Sequence, residues 1–399
     1  MKRTIRTPIC TLLPVLMWLA LSCTCFSSGA ATQAPPPTSG PTAEIPAETA
    51  AVQPENTPEV SPEPTATETV YHEPKAFPVL ADMKRIVFNS IRENGLDDIY
   101  LMNADGSDAH FLAGKPEEVE IAPVWSPDGQ WIAFLGSNPE GTFDIQRIRP
   151  DGSGFANLTH NPADESAFDW SPDGSQIVFD SNRGGNYDLF VMNADGSNVR
   201  QLTKTGDRDE VEPVWSPGGG SIAYLCGPVD ATPGDVCIMN ADGSGQTNLT
   251  PEDPDVGEVV WSPDGSRLAF GMPVWPEEVW VMNPDGSGRQ NLTNNPADDG
   301  GIAFSPDGTV IAFSSDRDGK KKQIYILRVD NSYVYPLTDN QLMNVQPAWS
   351  PDGTWVVFTS AKSLGEFDYD IYAVRIDGKG LTNLTSAPAK DLNPDWEPF

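Results

Sequence analysis

Histidine is scarce in this sequence, and cysteine is nearly so. Only three histidines occur in 399 residues, His72, His110 and His160, and they are far apart. There is no His-Glu-x-x-His, no Cys-x-x-Cys, no Gly-rich phosphate loop and no Gly-x-Ser-x-Gly elbow. The usual motifs of zinc hydrolases, redox dithiols, nucleotide enzymes and serine esterases are therefore missing. Basic residues are few as well: 25 Lys and Arg stand against 57 Asp and Glu, a net charge of −32. Such a surface repels nucleic-acid phosphate and anionic lipid and attracts cations and basic protein patches, which excludes nucleic acid as a partner. Long apolar runs are also lacking. The longest, "ICTLLPVLMWLAL", is broken by Pro14 and falls short of the roughly 20 residues a spanning helix needs.

That run follows the basic start "MKRTIR" and reads as a signal peptide within residues 1–30. Its end, "LALSC", resembles the lipobox of bacterial lipoproteins, with Ser22 ahead of Cys23 as the residue to be lipidated; Ala20 stands where that motif usually has Leu. Ordinary cleavage after Ala30 is the other reading. Residues 31–75 are rich in Pro, Thr, Glu and Ala and nearly empty of large apolar residues, so they cannot bury enough surface to fold. We read them as a disordered stalk that holds a domain, residues 76–399, away from a membrane or wall. The expected location is extracytoplasmic, in a bacterial envelope or secreted, with a lipid anchor as one means of attachment. Beyond residue 25 only Cys226 and Cys237 remain. They flank a turn-rich segment between two strand-like runs, and facing positions of such a hairpin can be joined by a disulfide in an exported protein.

What is abundant is turn chemistry. Trp125, Trp170, Trp215, Trp261, Phe304 and Trp349 recur at intervals of 43 to 46 residues, and each is followed by "SPDG" or, after Trp215, "SPGG". An alternating apolar run comes next, then a strand ending in "MNADGS" or a variant, then a short "QLT" or "NLT" strand. In "SPDG", Pro presets one turn angle, Asp bonds back to the backbone and Gly accepts a positive φ. The recurring tryptophan fills space between stacked sheets. "NLT", at Asn157, Asn248, Asn291 and Asn383, matches a glycosylation acceptor, but its fixed place in the unit points to strand packing.

Four strands per unit at this period predict an all-β propeller. Residues 84–114 contain three strands of a unit without its first, and "LNPDWEPF" at the C-terminus contains a first strand alone. Together they complete a seventh blade and close the ring. The alternative takes residues 77–83 as a degenerate first strand.

"PVWSPDGQWIAF", "DLFVMNADGSNVRQLT" and "VQPAWSPDGTWVVFTS" resemble the TolB-type, WD40-like (PD40) propeller repeat, over residues 84–399. The resemblance implies the fold, with six blades as the TolB-type alternative to seven. It implies little about activity, since scaffold proteins and peptidase propellers share the repeat. TolB itself carries an α/β domain ahead of six blades, where this sequence reads as a stalk and seven blades, and the peptidases carry a hydrolase domain, of which no Gly-x-Ser-x-Gly elbow is found in this sequence.

Carboxylates are the remaining chemistry. Loops leading into the first strand of each unit lie on one face of a propeller, around its channel. There Asp164, Glu165, Asp207, Asp209, Glu210, Glu212, Asp253, Asp255, Glu258, Asp298 and Asp299 are expected to ring an acidic face, or else to be a solvated loop surface. As a ring they would bind a basic peptide, an amine or Ca²⁺. No other cofactor is expected, and "SSDRDG", with Asp316 and Asp318, lacks the remaining ligands of an EF-hand loop. The functional expectation is a binding or scaffold module for a protein or peptide. Alternatives are a carboxylate-based enzyme acting on an extracellular polysaccharide, or a structural spacer.

Overall fold

The computed structural model describes residues 77–92, 95–229, 234–251, 256–272, 276–362 and 368–398. Within them, seven antiparallel sheets of four strands each follow one another along the chain. Blade 2 is representative: Glu120–Trp125, Ile132–Ser137, Phe143–Ile148 and Ala156–Asn157. Its first turn is held by its own side chains. Ser126 Oγ donates to Asp128 at 2.6 Å and accepts the Trp131 N–H at 2.9 Å, while Gly129 adopts a φ of 67°. The same bonds recur after Trp170, Trp261, Phe304 and Trp349, so each of these aspartates gives Oδ1 to its turn. Serine donors hold the carboxyls of Asp173 and Asp264 low, at about 2.

"NLT" is likewise structural. In blade 2 the Asn157 amide donates to Asp144 at 2.9 Å, and Thr159 Oγ1 accepts the Ile145 N–H at 3.0 Å, which ties the fourth strand to the third. Equivalent threonine bonds occur in five further blades. The "NADGS" turn meets the neighbouring blade. A Cβ on Gly106 would sit 2.5 Å from the Leu384 carbonyl oxygen, so this position of blade 1 must be glycine to lie against blade 7.

The core lies in layers between blades. Phe88, Phe134, Phe179, Phe270, Phe313 and Phe358, each at the middle of a second strand, are fully buried. Trp125, Trp170, Trp215 and Trp396 are buried beside the first turns. Trp261 and Trp349 are half-buried, and their indoles donate to Val214 and Ala303 carbonyls of the preceding blade at 3.2 and 3.0 Å.

Blade 1 is assembled from both ends of the described chain. Asp391–Trp396 pairs antiparallel with Ile86–Ser90, followed by Asp98–Met102 and His110–Ala113. No covalent turn joins the first two strands. In its place Arg85 Nε donates to Glu397 at 2.9 Å, Lys84 Nζ to the Pro398 carbonyl at 2.8 Å and the Glu397 N–H to the Arg85 carbonyl at 2.9 Å. Residues 77–83 are not a first strand: Leu80–Asp82 is a 3-10 turn, and Leu80 packs with Trp355 of blade 7. The ring has seven blades, not six.

A disulfide joins Cys226 to Cys237, with Cα atoms 6.0 Å apart. The two are diagonal rather than facing, since Cys226 pairs with Asp235 and Cys237 with Tyr224. Cys23, the leader and the stalk lie outside the described residues.

Deleting residues 391–399 should abolish cooperative unfolding, because it removes a whole inner strand. Glu397→Gln should lower the melting temperature by only about 2–4 °C, the effect of ~1 kcal/mol from a partly exposed pair in a domain of this size. Thermal melts followed by circular dichroism would check both.

Candidate functional site: the carboxylate-lined channel

First strands of neighbouring blades touch around the ring, so their inward side chains define the channel. Five residues before each anchor aromatic stand Glu120, Glu165, Glu210, Val256, Asp299, Asn344 and Asp391. All but Val256 are polar, and all are buried. In blade 3, Glu165 accepts from Ser181 Oγ at 2.7 Å and Arg183 Nη2 at 2.9 Å, and Arg183 stacks over Phe179 and Phe190. Blade 6 repeats this with Asp299, Ser315, Arg317, Phe313 and Tyr325. In blade 1, Arg92 reaches Asp391 at 3.0 Å and lies over Phe88 and Tyr100. A buried carboxylate, a guanidinium and an aromatic pair thus lock three blades.

Blades 2 and 4 keep the carboxylate and lose the arginine. Asn138 stands where blade 3 has Arg183, and neither oxygen of Glu120 has a partner. Burial, then the neighbouring Asp98, push Glu120 up to about 8. In blade 4 the disulfide takes over: Cys226 holds the serine position and Cys237 the inner-aromatic position. Glu210 there accepts from Thr205 Oγ1 at 2.6 Å, and burial pushes it up to about 7.

Six positions before the anchor, two carboxylates stitch blades together and one stays within its blade. Asp164 accepts the Phe143 N–H at 2.8 Å and the Tyr187 hydroxyl at 2.7 Å, Asp209 accepts the Tyr187 N–H at 2.9 Å, and Asp298 pairs with Lys322 of its own blade at 2.8 Å. The expected acidic residues therefore do not form one solvent-facing rim. In blade 4 the inner strand begins earlier than a loop reading allows, Arg208–Trp215 being eight residues long, so alternate side chains turn inward. Glu165, Glu210 and Asp299 are buried, and only Asp207 of the described set is fully exposed. Asp253 and Asp255 lie outside the described residues.

Three positions before the anchor, the channel ring reads Ala122, Ala167, Glu212, Glu258, Gly301, Gln346 and Asn393. One side is an amide network: Gln346 donates to Asn393 and Asn393 to Asn89, both at 2.9 Å. The other side is acidic. Glu258 accepts the Gly301 and Ile302 N–H groups at 2.8 and 3.1 Å. Glu212, at a φ of 51°, donates its N–H to Asp180 at 3.0 Å, and burial, Asp180 and Glu258 push its carboxyl up to about 8. Behind them Glu277 is buried against Gly271 and Gly300 with both oxygens unpartnered, raised to about 9 by burial and by Glu258.

Sequence reading missed Asp180, Glu277 and two inter-blade acceptors. Asp169 takes the Trp215 N–H at 2.7 Å and Asp395 the Trp125 N–H at 2.9 Å, and burial raises both. The available signal was columnar: these residues emerge when units are aligned on the anchor. His110 and His160 are both exposed and on different blades. Among the described residues no three His, Cys, Asp or Glu side chains are placed to hold a metal ion. Asp316 Oδ1 accepts the Asp298 N–H at 2.9 Å, a blade-internal role.

The raised carboxyls set a pH dependence. Glu120 holds its proton more tightly folded than unfolded, so its contribution is complete below the ordinary value of 4.5 and is lost as pH rises through about 8. Glu212 acts in the same sense. The chain should therefore melt higher at pH 5 than at pH 8. Glu120→Gln should raise the pH 8 melting temperature by roughly 2–4 °C and leave that at pH 5 nearly unchanged, which calorimetry at the two pH values would show.

Comparison with known proteins agrees with this architecture. An uncharacterized protein of Agrobacterium fabrum is 29% identical over 187 residues, 45% of this chain and 62% of that relative, so the chain spans less than two thirds of its length. TolB from Acinetobacter baumannii superposes with a TM-score of 0.52 at 17% identity, covering 76% of this chain and 79% of that one. An oligogalacturonate lyase from Vibrio parahaemolyticus gives 0.59 at 14% identity, over 73% of this chain and 86% of the lyase. At these identities the solved structures speak to fold alone. The TolB β-propeller domain (PD40) model matches residues 84–257 and 254–398, and with seven blades built on that repeat the chain belongs to the TolB-like β-propeller family.

Proposed function

We propose that this chain is an exported, membrane-anchored binding module whose channel receives a basic group of a protein or peptide partner. The observation that carries the reading is the acidic side of the channel. Glu212 and Glu258 stand at adjacent ring positions; Lys322 partly offsets Glu258, but Glu212 is raised by burial, Asp180 and Glu258 with no basic side chain acting on it. A lysine or arginine from a partner would supply the missing charge and draw Glu212 into its ionised form. Many other carboxylates are used by turns, locks and stitches, whereas Glu212 and Glu258 line the channel half-exposed and Asp207 is exposed. Export is supported by the basic-then-apolar start and by the Cys226–Cys237 disulfide, anchorage by "LALSC", and presentation away from a membrane by the Pro-rich stalk.

A fluorescent oligolysine peptide titrated into the protein should bind with an affinity that falls with salt and weakens about tenfold in Glu212→Gln, the loss of one well-placed charge contact. Equal binding of a neutral peptide, or no effect of the substitution, would remove the channel from the reading. Turnover of an oligosaccharide that Glu212→Gln abolishes would replace it with an enzymatic one. Mass spectrometry of the mature N-terminus should find an acylated Cys23; an end at Ala31 would mean cleavage without an anchor.

A further inference from the structure

On the side of the ring where the "SPDG" turns lie, the seam between blades 6 and 7 opens into a cleft of 410 Å³ lined by Val310, Tyr335, Trp349 and Ile376, with Asp307 and Asp352 at its edges. The internal repeat shows how unusual this floor is. Where blade 6 has Val310 after its turn, blades 3, 4 and 5 have Gln176, Ser221 and Arg267. Where it has Tyr335, they have Arg200, Thr247 and Gln290, each at the same register position of the fourth strand. Apolar residues at these half-exposed positions add little to the core, so their presence points outward.

Two other blades also carry a large apolar residue after the turn, and in both the chain covers it. Trp131 of blade 2 lies under two guanidinium groups, Arg147 at 3.9 Å and Arg149 at 4.3 Å from the ring centroid. Trp355 of blade 7 is 5% exposed, and its indole donates to the Pro78 carbonyl at 3.1 Å. Among the described residues no Lys or Arg stacks on Trp349 or Tyr335, and the Tyr335 ring is flanked only by Tyr333, 6.0 Å between centroids. Arg328, the counterpart of Arg149 by register, forks onto Asp330 at 3.0 and 3.1 Å; it stays near enough to Tyr335 to interact with it electrostatically but is not among the lining residues, which include no Lys or Arg. Asp307 gives only Oδ1 to its turn, leaving Oδ2 outside it, whereas Asp352 accepts from Thr354 Oγ1 on both oxygens and adds its charge from the cleft edge.

We propose that this cleft binds a small organic cation of the alkylammonium class, seated on Trp349 and Tyr335 and neutralised by Asp307 and Asp352. Aromatic faces attract such cations through their quadrupoles, and the volume suits a small ligand. This site is separate from the channel and does not depend on the reading of it.

Choline titrated into the full chain, followed by calorimetry and by ligand-detected NMR, should bind saturably. The uncharged isostere 3,3-dimethylbutan-1-ol should bind at least about tenfold more weakly. Val310→Gln with Tyr335→Arg rebuilds blade 6 with the residues of blade 3, and should keep the melting temperature while losing choline. Asp307→Asn with Asp352→Asn keeps the Oδ1 acceptor of each turn and should weaken choline without altering the isostere. The proposal is overturned if choline shows no saturable binding, if the neutral isostere binds as well, or if either double variant folds and binds choline unchanged.

Discussion

Antiparallel pairing of Asp391–Trp396 with Ile86–Ser90 is the constraint on which the rest of this molecule depends. Every other blade is local in sequence, each strand reaching the next through a short turn. Blade 1 instead requires segments about 300 residues apart to meet, as in the Arg85–Glu397 contact, whose separation is 312. Without that meeting the first strand of blade 2 loses the Asp395 carboxylate that takes the Trp125 N–H, and two sheet faces are left uncovered. Seven individually modest sheets become one closed object because the last strand is added from the far end of the chain.

Burying carboxylates is costly unless each is paired or protonated, and this ring uses several solutions in successive copies of one motif. Blades 1, 3 and 6 provide an arginine stacked on aromatic rings. Blade 7 replaces the acid with Asn344, which Ser360 and Gln323 satisfy. Blade 5 replaces it with Val256, and Arg289 reaches the aromatic pair Phe270 and Trp280 from a different strand. Blade 4 substitutes a disulfide for the serine and the ring. Blade 2 leaves Glu120 with no partner, and its raised proton affinity follows directly. The repeats share a frame, and their departures from it locate the special chemistry.

Membership of the TolB-like propeller family describes a scaffold, and solved structures of the same shape include both TolB and a lyase. Function on such a scaffold resides in particular side chains. Here those are the residues that break the repeat: Glu212 and Glu258 where other blades have alanine, glycine or amides, and Val310 and Tyr335 where blades 3 to 5 have polar groups.

Blade count, turn positions and ring closure were legible in the sequence, because Trp–Ser–Pro–Asp–Gly and Asn–Ala–Asp–Gly–Ser are local devices whose bonds span only a few residues. The strand-packing role of "NLT" was legible for the same reason. Which acids face solvent was not. Glu165 and Asp164 are adjacent in the segment that leads into Phe168–Trp170, yet one is buried under Arg183 and the other receives Tyr187 from across the blade. The sequence by itself determined the propeller, since each blade is specified by contacts within about 45 residues, the period of the repeat. Only the tertiary structure decided the fate of each carboxylate, because burial and partner depend on groups that the closed ring brings in from neighbouring blades.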